Sequence, residues 1–181
     1  MLQRNTEREY KCLVSSDEYW RLVDYYQNDY RLRTQVNQYY CDQQRRLTAY
    51  QAVLRLRNYP DSSVLTFKIK EGEDLIEYEK PEAFLTDPEF LDLLAKYQIF
   101  PPFEEIGSLT TFRRLIDLPQ AELCLDENHY SGIIDYEIEY ELTTPVEDLA
   151  SFVALLKKVD IVYQPNSLSK YQRLLATLNS Q

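Results

Sequence analysis

Residues 7–12 read EREYKC: Glu7, Arg8, Glu9, Tyr10, Lys11, Cys12. In a strand, side chains alternate between two faces, so Glu7, Glu9 and Lys11 share one face while Arg8, Tyr10 and Cys12 share the other. Later segments split in the same way. Their charged faces carry Arg55 and Arg57; Thr66, Lys68 and Lys70; Glu77 and Glu79; and Asp135, Glu137, Glu139 and Glu141. The opposite faces carry Leu54, Leu56, Leu65, Phe67, Ile69, Ile76, Tyr78, Tyr136, Ile138 and Tyr140. Taken singly, each strand fits a one-sided sheet with its charges in water. The sorting of sign does not fit, because like charges spaced two apart repel on a shared face. The pattern therefore predicts two opposed clusters, one acidic and one basic.

Carboxylate oxygens suit hard divalent cations such as Mg2+ or Mn2+, and several guanidinium and ammonium groups suit a polyphosphate. Both in one cavity make a metal-assisted phosphoryl-transfer site.

Bulk properties narrow the classes. At 181 residues, 44% hydrophobic and 28% charged, the chain is expected to be one domain over residues 1–181, neither disordered nor membrane-embedded. No apolar run approaches about 20 residues, and MLQRNTERE lacks a signal peptide's apolar stretch, so a cytoplasmic location is expected. A net charge of -10 disfavours nucleic acid and anionic lipid as partners. Cys12, Cys41 and Cys124 show no paired spacing and read as reduced, partly buried thiols. Only three glycines occur, Gly72, Gly107 and Gly132, which excludes a glycine-rich phosphate loop. Side chains must bind any phosphate.

Along the chain, residues 7–14 predict a strand, and Ser15 with Glu18 predicts a capping box opening a helix to about Tyr30, with Tyr19, Trp20, Leu22, Val23 and Tyr26 as its stripe. Strands are expected at 36–42, 47–59, 62–70 and 74–80, then a helix at 87–98 capped by Asp87 with Pro88 at its first position. Strands follow at 108–118, 121–129 and 133–142, and helices at 145–159 and 166–178 around a strand-like Ile161-Val162-Tyr163. Eight or more antiparallel strands of this kind favour closure into a barrel, which removes exposed edges.

The run Glu7-Arg8-Glu9-Tyr10-Lys11 is similar to the ExExK signature of the CYTH domain, the fold of the triphosphate tunnel metalloenzymes. The order of later motifs strengthens it: RLR at 55–57, TFKIK at 66–70, EYE at 77–79, an arginine after SLTTF, LCLD at 123–126, DYEIEYE at 135–141, and SKYQR near the end. The chain most resembles the small single-domain bacterial branch often labelled a candidate adenylate cyclase. The resemblance implies an α+β fold: a closed eight-stranded antiparallel β-barrel, charged within, with helices packed outside. It further implies metal ligands at Glu7, Glu9, Glu137 and Glu139, with Glu77 and Glu79 near them or ordering the basic residues. It implies triphosphate contacts from Lys11, Arg55, Arg57, Lys68, Lys70 and Lys170. One of Arg113 and Arg114 should point inward, Asp126 stands where a further metal-site acid can occur, and Glu139 with Glu141 is the alternative acid pair to Glu137 with Glu139.

Single residues weigh differently. His129 reads as a loop residue in DENHYSG, and Tyr10, Tyr78, Tyr136 and Tyr140 read as packing beneath helices. Lys170 would be a solvated helical charge without the family pattern. The function expected is a divalent-metal-dependent triphosphatase acting on inorganic tripolyphosphate or an organic triphosphate. An adenylate cyclase and a non-catalytic polyphosphate or nucleotide sensor are the alternatives, and a homodimer is compatible with the family.

Overall fold

The computed structural model describes residues 1–178 apart from Asn28, Pro145, Glu147 and Ser167. Parts of three predicted helices (Asn28; Pro145 and Glu147; Ser167) thus lie outside the described residues. Nine strands form an antiparallel sheet in the order β1-β6-β5-β4-β3-β7-β8-β9-β2, with five helices among the described residues. The strands are β1 Gln3–Thr6, β2 Glu9–Val14, β3 Arg31–Asp42, β4 Val53–Asn58, β5 Ser63–Glu71, β6 Asp74–Pro81, β7 Phe103–Asp117, β8 Ala121–Tyr130 and β9 Ile133–Leu142. The helices are α1 Ser16–Tyr26, α2 Arg46–Ala49, α3 Pro88–Lys96, α4 Leu149–Lys157 and α5 Lys170–Leu178. No helix is long and apolar enough to cross a membrane. Two compact units divide the chain.

The first unit comprises Met1–Glu7, Gln35–Leu109 and Leu174–Gln181. β1 pairs with β6, β6 with β5, β5 with β4, and β4 with β3. Leu54, Leu65, Phe67 and Ile69 lie on one face of the sheet and are buried with Phe90, Leu93 and Leu94 of α3. That helix begins where expected: the Asp87 carboxylate accepts from the Phe90 amide at 3.1 Å and Pro88 opens the first turn. At Gly107 an added Cβ would stand 3.3 Å from both Leu174 and Leu178, so a bare backbone lets α5 approach.

The second unit comprises Arg8–Thr34 and Thr110–Arg173. β7 pairs with β8, β8 with β9, and β9 with β2. The capping box forms: Glu18 accepts from the Ser15 amide at 2.8 Å while Ser15 Oγ accepts from the Glu18 amide at 3.3 Å. Tyr19, Leu22 and Val23 of α1 and Phe152, Leu155 and Leu156 of α4 bury Cys12, Leu123, Leu125, Ile138 and Tyr140. Phe152 sits at the centre, its ring 5.2 Å from Tyr140 and 5.3 Å from Tyr163.

Several expectations need correction. The strand expected over 7–14 begins at Glu9 and a further strand, β1, precedes it, because the Glu7 amide still bonds to Leu75 beside β6 while the Arg8 carbonyl already accepts from Leu142 at the end of β9. This raises the strand number to nine. The strand expected over 47–59 begins only at Val53, since Asp42 accepts from the amides of Arg46 at 3.1 Å and Leu47 at 2.9 Å and turns the chain into α2. β3 and β7 start earlier than expected, at Arg31 and Phe103, and the helix α1 ends at Tyr26. His129 lies on β8, bonded to Glu127 at 2.7 Å, because the turn falls later, at Ser131 and Gly132. Trp20 is exposed instead of buried with its stripe, and Ile161-Val162-Tyr163 forms no strand.

Truncating Phe152→Ala removes the ring on which the second core is built, and urea unfolding should report a loss of about 3–5 kcal/mol. All three thiols are buried, and burial, reinforced by Glu137 and Glu18, pushes the Cys12 thiol up to about 12. Ellman's reagent should therefore label none of them at pH 8 until the chain unfolds.

Candidate active site

Burial separates the charged faces from ordinary solvated ones. Arg55, Thr66, Arg113, Asp126, Asn128, Glu137 and Glu139 are all buried, although the opposite face of the same strands is also buried under helices. Each unit carries its own network.

In the first unit the register places Lys68 opposite Glu77, Thr66 opposite Glu79, and Arg55 opposite Thr66. The Lys68 ammonium donates to Glu7 Oε1 at 2.8 Å and lies 3.1 Å from Glu77. Arg55 Nη2 donates to Thr66 at 3.1 Å and to Glu77 at 3.4 Å, and Thr66 passes a hydrogen bond to Glu79 at 3.1 Å. Burial and the charge of Arg57 lower the Arg55 pKa in spite of Glu77. Burial raises the Glu77 carboxyl, but Lys68 and Arg55 outweigh it and the net shift is downward. The arginine end of this network would gain from an anion.

In the second unit the register sets Lys11 opposite Glu139, Arg113 opposite Asp126, and Asp126 opposite Glu137. Arg113 grips Asp126 through two parallel bonds, 2.7 Å from Nε and 2.6 Å from Nη2, and also donates to Glu139. Lys170, the first residue of α5, stands 2.9 Å from Asp126, 2.6 Å from Glu137 and 2.5 Å from Glu139. Arg173, one turn on, bridges Asp135 at 2.9 Å and Glu137 at 3.0 Å. Lys11 reaches Glu9 at 2.5 Å. Burial would lower the Lys170 pKa, yet Asp126, Glu139 and Glu137 raise it well above the ordinary lysine value. Burial likewise raises Glu139, and Lys170, Arg113 and Lys11 carry it well below the usual carboxylate range. This network is anionic enough to hold its cations firmly.

The expectation of separate acidic and basic clusters is thus corrected. Like charges do recur every second residue along a strand, but the neighbouring strand supplies the opposite sign at Lys68–Glu77, Arg113–Asp126 and Lys11–Glu139, so the signs interleave there. Asp126, Glu137 and Glu139 converge, each presenting one oxygen, with those oxygens within 4.8 Å of one another. That donor set fits a hard divalent cation. Glu7 Oε2 is buried without a partner, a free acceptor beside Lys68.

Among the remaining candidates, Arg113 is the inward arginine, while Arg114 points away, donating to Tyr19 Oη at 2.6 Å and lying 5.0 Å over the Trp20 ring. Glu141 and Lys70 are exposed. Sequence reasoning missed Arg173, Asp135's bond to it, and Asn166, which donates to Glu137 at 2.9 Å. The three-residue spacing of Lys170 and Arg173 on a helix was the available signal for Arg173.

The sequence profile of the CYTH domain matches residues 5–174. No curated relative matches the chain by sequence. Among solved structures, a candidate adenylate cyclase from Bacillus halodurans is 28% identical, with a TM-score of 0.81 over 94% of this chain and 97% of that one. A candidate adenylyl cyclase from Hippeastrum with a dominant triphosphatase activity is 24% identical, with a TM-score of 0.73 over 94% and 95%. A third, a candidate adenylate cyclase from Vibrio parahaemolyticus, is 19% identical, with a TM-score of 0.63 over 96% and 99%.

Replacing Arg113→Met leaves Asp126 buried with Lys170 as its remaining cation, and equilibrium unfolding should show a loss of about 3–5 kcal/mol. The exposed Lys70→Met should stay within about 0.5 kcal/mol of the parent in the same measurement.

Proposed function

The chain belongs to the CYTH family, and we propose that it is a divalent-metal-dependent triphosphatase. The observation that carries this reading is the convergence of Asp126, Glu137 and Glu139 on one small volume, with buried cations distributed around the sheet. A closed tunnel of antiparallel strands, as the family resemblance implies, is part of the proposal.

In this reading Asp126, Glu137 and Glu139 would hold Mg2+ or Mn2+, with Glu9 as a further acceptor. A cation bound there supplies positive charge to phosphate oxygens. Arg55, Arg57 and Lys68 bind and orient the phosphates and neutralise charge that builds on the leaving phosphate. Lys170 and Arg113 keep Glu139 ionised and hold Asp126 and Glu139 aligned. Water is the nucleophile, and Glu7 Oε2 is the acceptor suited to align it.

The test is phosphate release from inorganic tripolyphosphate with magnesium or manganese. Glu139→Gln should lower kcat/KM by about a hundredfold or more, the scale of removing one preorganised charged group. Full activity in that variant overturns the metal-site assignment, and cyclic AMP as the main product from ATP overturns hydrolysis in favour of cyclisation.

A further inference from the structure

On β3, Gln35, Asn37 and Tyr39 share the face that carries Arg55 and Arg57 on β4, because Asn37 lies opposite Arg57 and Tyr39 opposite Arg55. Gln35 is 1% exposed, and neither its Nε2 nor its Oε1 has a partner. Asn37 is 0% exposed; its Oδ1 accepts from Arg57 Nε at 2.8 Å, which turns Nδ2 away from Arg57, and Nδ2 also lacks a partner. Buried polar side chains are rarely left so, and each that is calls for a physical account, a polar ligand being one.

Position along the ladder says which ligand. Lys68 lies opposite Val53, so Arg55 and Arg57 stand one and two same-face steps along β4, and Gln35 stands one step past Asn37 on β3. Each step is about 6.7 Å, which puts Gln35 roughly 20 Å along the strands from the row of Lys68. A triphosphate chain is shorter than two such steps. Lysine and arginine side chains can converge on it, whereas the shorter amide of Gln35 lies past its end. The groups also change character along this path, from ion-paired cations to a neutral amide with one donor and one acceptor side by side.

We propose that Gln35, assisted by Asn37, reads the organic group of a triphosphate substrate, taking an uncharged heteroaromatic edge that carries a hydrogen-bond donor next to an acceptor. A carboxamide matches such an edge through two parallel hydrogen bonds, as glutamine does with adenine. The inference rests on the triphosphatase reading above and names the substrate class for it. Nucleobases and the aminopyrimidine of thiamine share this chemistry.

The experiment compares inorganic tripolyphosphate, ATP and thiamine triphosphate as substrates of the parent and of Gln35→Met, with ATP binding followed by calorimetry. At least one organic triphosphate should be preferred by the parent. Gln35→Met should lower the ratio of its kcat/KM to that of tripolyphosphate by about tenfold, with a parallel weakening of ATP binding if ATP is the preferred one. Gln35→Glu, which keeps the shape and loses the donor, should shift the ratio in the same direction. A ratio within about twofold of the parent in both variants overturns the proposal, as does a parent that uses tripolyphosphate alone. A parent that turns over none of the three overturns the triphosphatase reading itself.

Discussion

A carboxylate stays charged inside a β-sheet only where a cation reaches it, and this requirement organises the protein. Lys68 faces Glu77 across one ladder and Lys11 faces Glu139 across another, while Arg113 clasps Asp126 across a third. Where the ladder puts acid opposite acid, as at Asp126 and Glu137, the sheet has no cation of its own to offer. Lys170 and Arg173 arrive from α5 instead. The helix therefore completes the electrostatics of the sheet as well as covering part of it.

That arrangement bears on binding. A network whose charges are already matched is rigid and aligned before any ligand arrives, so less ordering remains to be done on binding. Its two units differ in what they lack. Around Glu139 the cations are held more firmly than usual, whereas Arg55 is made less basic by burial and by Arg57. An anion suits the second situation.

Much of this was legible in the sequence because period two is a geometric rule. Glu7, Glu9, Arg55, Lys68, Glu77, Glu137 and Glu139 could be assigned to faces on paper, as could the cap at Ser15 and the start of α3 at Asp87. What failed had specific causes. Register between strands cannot be read from one strand, so interleaving of sign was invisible, and like-charge pairs were mistaken for separate clusters. Arg113 and Arg114 are adjacent, and only the pairing with Asp126 decides between them. A capping carboxylate at Asp42 overrode the strand-like pattern after it. Gln35 and Asn37 drew no notice because uncharged polar residues on a strand look unremarkable until their burial is known.

The turn between β8 and β9 is two residues, Ser131 with φ 48° and Gly132 with φ 76°, joining Tyr130 to Ile133 as directly opposed partners. Both residues sit in the left-handed region, as the tightest hairpin turns demand. Because the side-chain period is two, this turn acts as a ruler for Asp126, Glu137 and Glu139, several residues away. One residue more in it would carry a whole strand of carboxylates to the oily side of the sheet, where Ile138 and Tyr140 now lie. The chemistry of the protein is thus indexed to the length of a loop that takes no part in it.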